Sequence, residues 1–224
     1  NQVMNINKEI SGFSFIIIDK TIKSKEHIIF SYRGANKYLK INPKEKFNTK
    51  WFCVSSFSGA KWQLELKNIS QIVKNQNIKL AFNPGPRQLE AGISKLKFIL
   101  KITDVLLLNR EEAIELILSK HYYNQAPHIE FLLKELYFYS PNLVVITDGT
   151  NGVYAYDGKD FYRQKSAKVK AVDTTGAGDA FFSGFIFGLI KYKRDIKEAL
   201  KIGVKNGASV VKKIGAQEGL LDNF

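Results

Sequence analysis

The sequence predicts an α/β protein built on a mostly parallel central sheet, and three observations carry that prediction. Short apolar runs alternate with helical stretches of roughly 10–15 residues, the pattern of β-α-β units with right-handed crossovers. Asn83, Asn109, Thr147 and Asp173 each follow an apolar strand directly, and ligands gather at the carboxyl ends of parallel strands. The chain has 224 residues, 45% of them hydrophobic and 25% charged, which suits one substantial core. With no internal repeat, low-complexity tract or linker, residues 1–224 read as one domain.

The elements follow in order. Phe13–Asp19 and His27–Ser31 read as two strands joined by a polar turn, and Tyr32–Asn36 as a glycine-containing loop before a short helix. Trp51–Ser55 is predicted as a buried strand, with Cys53 as a buried thiol. Leu64, Leu66, Ile69, Ile72 and Val73 form the stripe of a helix over Ala60–Lys74. The strand Ile78–Phe82 stops at Asn83-Pro-Gly-Pro86, and Leu89–Leu100 is helical. The strand Asp104–Leu108 leads into a helix over Arg110–Ser119, with Glu111 and Glu112 in its first turn, where acids are favoured. A loop over His121–Pro127, a helix over Ile129–Tyr139 and a strand over Leu143–Thr147 come next. Asp148–Gly152 turns into the strand Val153–Tyr156, and Asp157-Gly158 turns into Phe161–Arg163. An apolar helix to about Ile190 and a last one over Ile196–Lys212 complete the chain.

The most informative stretch is Ala171-Val-Asp-Thr-Thr-Gly-Ala-Gly-Asp-Ala-Phe181. A glycine turn entering a helix aims main-chain N–H groups at one spot, and the helix dipole adds positive potential there. Gly176, Ala177 and Gly178 therefore read as an anion hole, and Asp179 as a base for an attacking hydroxyl. The competing reading is a plain glycine-rich turn with Asp179 as a helix N-terminal residue. Asn109 and Glu112, three apart at a strand end, read either as a capping box or as an amide and a carboxylate facing a site. In the second case Glu112 holds Mg2+ through waters. Thr147, Gly149 and Gly152 belong either to a tight turn between antiparallel strands or to a phosphate-facing loop. Gly34-Ala-Asn36 and Asn83-Pro-Gly85 read singly as turns.

Composition narrows the function classes. The net charge is +13, but the lysines are scattered over helix faces, with no zinc spacing and no aromatic RNA-binding signature. No nucleic-acid partner is expected. No apolar run approaches the roughly 18 residues of a membrane span, so no membrane partner is expected either. A single cysteine excludes an internal disulfide, the opening residues do not resemble a signal peptide, and a cytoplasmic location is the default. His27, His121 and His128 do not cluster as metal ligands.

Taken together, Gly34-Ala-Asn36, Phe82-Asn-Pro-Gly85, Leu108-Asn-Arg-Glu-Glu112, Val145–Gly152, Asp173–Phe181 and Ile214-Gly-Ala-Gln217 resemble the ribokinase-like (PfkB) carbohydrate kinase family. The resemblance implies a three-layer α/β/α sandwich and ATP-dependent phosphorylation of a hydroxymethyl group on a sugar or nucleoside. It assigns Asp179 as the base and Gly176–Gly178 as the anion hole. Asn109 and Glu112 order phosphates and hydrated Mg2+, and Thr147, Gly149 and Gly152 line the phosphate side. Gly203, Val204 and Gly207 pass near the adenine, although relatives often carry Asn or His where Val204 stands. Asp173, Thr175 and Gly215 are the expected neighbours of a monovalent cation such as K+, and Asn36 and Asn83 are candidates to meet the substrate. The sequence enters the family pattern near the lid-return strand. The expectation is a chain lacking the family's N-terminal portion, with 13–31 as a remnant of a small β lid whose open edges invite a homodimer. Two other classes stay in view: a nucleotide or sugar binder without catalysis, and a nucleic-acid-binding protein.

Overall fold

The computed structural model describes residues 9–18, 27–118, 127–139 and 142–223. The expected turn between the first two strands and most of the His121–Pro127 loop, with His121, lie outside the described residues.

Six strands form the central sheet in the order of the chain. They are β3 (Trp51–Val54), β4 (Lys79–Phe82), β5 (Val105–Asn109), β6 (Val144–Thr147), β7 (Val153–Tyr156) and β8 (Phe161–Gln164). The first four run parallel, and β7 and β8 are antiparallel additions. Between the parallel strands lie α1 (Trp62–Gln76), α2 (Pro86–Leu100), α3 (Arg110–Leu118) and α4 (Ile129–Tyr137). Strands added steadily in one direction through right-handed crossovers place every connecting helix on the same face. The other face is left to α5 (Ala177–Lys191) and α6 (Ile196–Val210), which close the three-layer sandwich.

The pleat explains the two cores. Leu106 and Leu108 of β5 pack with Leu66, Leu96, Leu116 and Leu133 of α1–α4. Val105 and Leu107 pack with Phe181, Phe185 and Leu189 of α5. Strands buried on both faces must be apolar at every position, which is why they read as continuous runs.

Cys53 departs from expectation. It is exposed on β3, the outermost strand of the sheet among the described residues, while its register partner Ala81 on β4 is fully buried. Helix α2 also holds a break that the periodicity does not reveal, at Gly92 with φ 74°.

A separate ribbon is made by β1 (Phe13–Ile18) and β2 (His27–Tyr32), antiparallel with Phe15 opposite Phe30 and Ile17 opposite Ile28. Phe15, Ile17, Ile28 and Phe30 are exposed, and so are Ile16 and Ile29. The Glu9 carboxylate anchors its base by accepting from Tyr32 Oη at 2.8 Å and Lys37 Nζ at 2.7 Å. Among the described residues no helix is long and apolar enough to cross a membrane.

The β7–β8 turn is held by one carboxylate. Asp157 accepts the N–H groups of Lys159 at 2.9 Å and Asp160 at 2.7 Å, and the Tyr162 hydroxyl at 2.8 Å. Burial works against the Asp157 charge, but these bonds outweigh it and hold the pKa below the ordinary value. Tyr162 is pushed up to about 12, chiefly by its bond to Asp157. Asp157→Ala should cost about 1–2 kcal/mol at pH 7 by urea denaturation. Because the folded pKa of Asp157 is depressed, the gap between wild type and variant is full at neutral pH. It should close as the pH falls through that value. A gap that stays constant down to pH 2 would refute the assignment.

Candidate active site

The site begins at the turn before α5. Asp173 uses both carboxylate oxygens there: Oδ1 accepts the Thr175 N–H at 2.9 Å and Oδ2 the Gly215 N–H at 3.0 Å. Val172 and Asp173 also donate their N–H groups to the Val211 carbonyl, so the turn is tied to the end of α6. Gly176 adopts φ 76°, and a Cβ placed on it would come within 2.7 Å of Ala216 Cβ. Only glycine satisfies both demands. The first helical bond of α5 runs from Ala180 N to Gly176 O, and Ala177 N turns back to Thr174 O. The N–H groups of Gly178 and Asp179 have no main-chain acceptor among the described residues, and both residues are exposed. A helix N-terminus with bare N–H groups is an anion site in waiting.

The ends of β5 and β6 lie beside it. Asn109 and Thr147 are register partners across the two strands. Asn109 and Glu112 form a reciprocal capping box: Asn109 N donates to Glu112 Oε2, and Glu112 N to Asn109 Oδ1, each at 2.8 Å. Burial pushes the Glu112 carboxyl up, the Asn109 N–H opposes this, and the charges of Glu115, Glu111 and Asp179 raise it further. The Asp179 charge thus reaches Glu112. Among the described residues no three His, Cys, Asp or Glu side chains converge as a metal cage. A carboxylate held near other negative charges fits a hydrated Mg2+, which is commonly bound by one or two carboxylates plus substrate phosphates. Asp173 fits a monovalent cation less directly, since both its oxygens already accept N–H groups.

The turn after β6 forms the facing wall. Asp148 N donates to Gly152 O at 2.8 Å, while Gly149 and Gly152 take φ 49° and 106°. Arg110, which follows Asn109, reaches across to Asp148 with Nη1–Oδ2 at 3.0 Å and donates to the Pro127 carbonyl at 3.3 Å. Sequence reasoning missed this pair. The signal was available: once Asn109 and Thr147 are register partners, the residues after them are neighbours. Asn206 was missed as well. It is buried, donates Nδ2 to Ala180 O at 2.8 Å and accepts the Leu221 N–H at 3.0 Å, joining α5, α6 and the C-terminal segment.

These elements enclose a cavity of about 340 Å³. Of the residues singled out from sequence, Thr147, Gly149, Gly152, Ala177, Gly178, Val204 and Gly207 line it. Gly203 does not; it packs under the Phe181 ring, where a Cβ would lie 2.7 Å from a ring carbon, so its part is to let α6 approach α5. Asn36 lies in a second cavity of about 270 Å³ with Ser11, Ser56 and Ser58. Asn83 lines neither of the two; its side chain donates to the Leu107 carbonyl at 2.9 Å and its N–H to that of Val54.

Comparison with known proteins agrees with this geometry. The model of the pfkB family carbohydrate kinases matches residues 2–223. An uncharacterized sugar kinase of Archaeoglobus fulgidus is 34% identical over 158 residues, which are 70% of this chain and 59% of that protein. The ribokinase of Lactococcus lactis is 32% identical over 152 residues, 68% of this chain and 45% of that protein. The chain thus spans only about half the length of these relatives. Among solved structures, Thermotoga maritima ribokinase superposes with a TM-score of 0.74 at 25% identity, covering 94% of this chain and 66% of that one. A Burkholderia thailandensis nucleoside kinase, solved with inosine, gives a TM-score of 0.77 at 18% identity, covering 95% and 66%. The α5 turn, the strand-end capping box and the match over residues 2–223 lead to one conclusion: the chain belongs to the pfkB family of carbohydrate kinases.

Proposed function

We propose that the protein transfers the γ-phosphoryl group of ATP to a hydroxymethyl group of a sugar or nucleoside. The observation that carries this reading is the bare N-terminus of α5 opening on a cavity shared with the Thr147–Gly152 turn and one face of α6. The triphosphate lies toward Gly176, Ala177 and Gly178, whose main chain receives its charge. Asp179, exposed in the first turn, accepts the proton of the attacking hydroxyl. The new bond joins the acceptor oxygen to the γ-phosphorus, the bond to the β-phosphate oxygen breaks, and ADP leaves. Mg2+, when bound, would neutralise charge on the phosphates, and Glu112 with Asn109 would hold it. Asp173, Thr175 and Gly215 hold the turn, and K+ beside them would reinforce it. ATP as donor argues for a cytoplasmic setting.

The acceptor belongs to the class of sugars and nucleosides. Relatives include proteins named ribokinase, 5-dehydro-2-deoxygluconokinase and cytidine kinase. The second cavity, with the Asn36 amide and the hydroxyls of Ser11, Ser56 and Ser58, has the donors and acceptors that a polyol requires. The exposed apolar faces of the β1–β2 ribbon support a homodimer. Sedimentation equilibrium should report twice the chain mass, and Ile17→Lys with Phe30→Lys should return it to a monomer; a wild-type monomer at micromolar concentration rejects the dimer.

An ADP-release assay over a panel of sugars and nucleosides tests the reaction. Asp179→Asn should lower kcat about 100-fold or more with little change in ATP affinity. Near-normal turnover would remove Asp179 from the base role.

Glu112 gives a pH test. Its folded pKa lies above the ordinary value, so ionisation costs stability as the pH rises through that window, and the cost persists at neutral pH. Glu112→Gln should therefore melt no lower than wild type at pH 7.5, yet lose about 10–100-fold in apparent Mg2+ affinity. In wild type that affinity should weaken as the pH falls through the raised pKa, and in the variant it should be flat. Equal pH slopes in the two proteins would reject a role for Glu112 at the ion.

A further inference from the structure

The side chains that line the large cavity are mostly apolar. At the α5 end it meets main-chain N–H groups and the Thr147 and Thr174 hydroxyls. Its lining also includes Val169, Ala171, Phe181, Val204, Ala208 and Val211, none with a side-chain donor or acceptor. The remaining lining hydroxyls are those of Thr150 and of Ser166, which donates to the Thr150 carbonyl at 2.6 Å; a hydroxyl can turn to meet an amino donor or an oxo acceptor alike. The amide of Asn206 is turned away to Ala180 O and Leu221 N. The main chain of α6 is largely spent on its own helix bonds, and the Val211 carbonyl accepts from Val172 and Asp173. The cavity thus has apolar surface for a flat ring and, among the described residues lining it, no side-chain group that distinguishes a donor from an acceptor at the ring edge.

Adenine and guanine differ at that edge: a 6-amino donor in one is a 6-oxo acceptor in the other. A site built to hydrogen-bond a substrate group rejects the analogue by about 10⁴–10⁵, while an apolar pocket discriminates isosteres weakly. We infer that the protein takes purine nucleoside triphosphates as a class, gripping the phosphates at α5 and the base chiefly by its faces, with no side chain that separates a 6-amino from a 6-oxo group, so that ATP, GTP and ITP are near-equivalent donors. The inference rests on the nucleotide reading of this cavity and adds to it the range of donors.

Calorimetric titration of the chain with the Mg2+ complexes of ATP, GTP, ITP and inorganic tripolyphosphate tests it. The three nucleotides should bind within about 20-fold of one another, and each about tenfold or more tighter than tripolyphosphate. Ala208→Phe, which fills part of the apolar lining, should erase the advantage of the nucleotides and leave tripolyphosphate binding intact; that retained binding also reports a folded protein. If ATP binds more than about 20-fold tighter than GTP and ITP, main-chain groups of 166–171 read the base and the inference fails, while the nucleotide site stands. If no nucleotide binds tighter than tripolyphosphate, the nucleotide reading itself fails.

Discussion

The Asp173 carboxylate is the constraint on which the site depends. It joins two stretches 42 residues apart by accepting one N–H from each. With that hold in place, Gly176 can turn against Ala216 and α5 can begin with its donors bare. A hydrogen bond to a charged acceptor is stronger than a neutral one, and two on one carboxylate also fix its direction. The sheet supplies a platform, but this clasp decides where the helix N-terminus points.

Much of the fold was legible because the strands are buried on both faces. Leu106, Leu107 and Leu108 announce a strand without alternation, and the polar residues after each run mark the working edge of the sheet. What could not be read was lateral position. Cys53 sits in an apolar run like the others, yet among the described residues β3 has a strand on one side only, and sequence carries no sign of which strand is outermost. The contact between α5 and α6 was equally hidden. Gly203 resembles a loop or ligand glycine in a sequence but serves as a notch for the Phe181 ring.

Glu112 shows why the two readings of a motif need not compete. The sequence offered a capping box or a site carboxylate, and the cap is formed in full. It engages Oε2 with the Asn109 N–H, which locks the side chain at the strand end within reach of the Asp179 field. Capping is thus a way of aiming the carboxylate as well as a way of starting α3. Arg110 repeats the pattern at the next residue, spanning to Asp148 and bringing the Thr147–Gly152 turn under the same control.

The C-terminal segment that meets Asp173 and Asn206 has a consequence in time. A chain is synthesised from its N-terminal side, and early elements are able to fold first. Strands β3–β6 and helices α1–α4 lie within residues 51–147 and bury one face of the sheet among themselves. Gly215 and Leu221 arrive much later and complete contacts of long sequence separation. The platform is therefore available before the site upon it, and the bare N-terminus of α5 acquires its final direction only when nearly all of the described chain is in place.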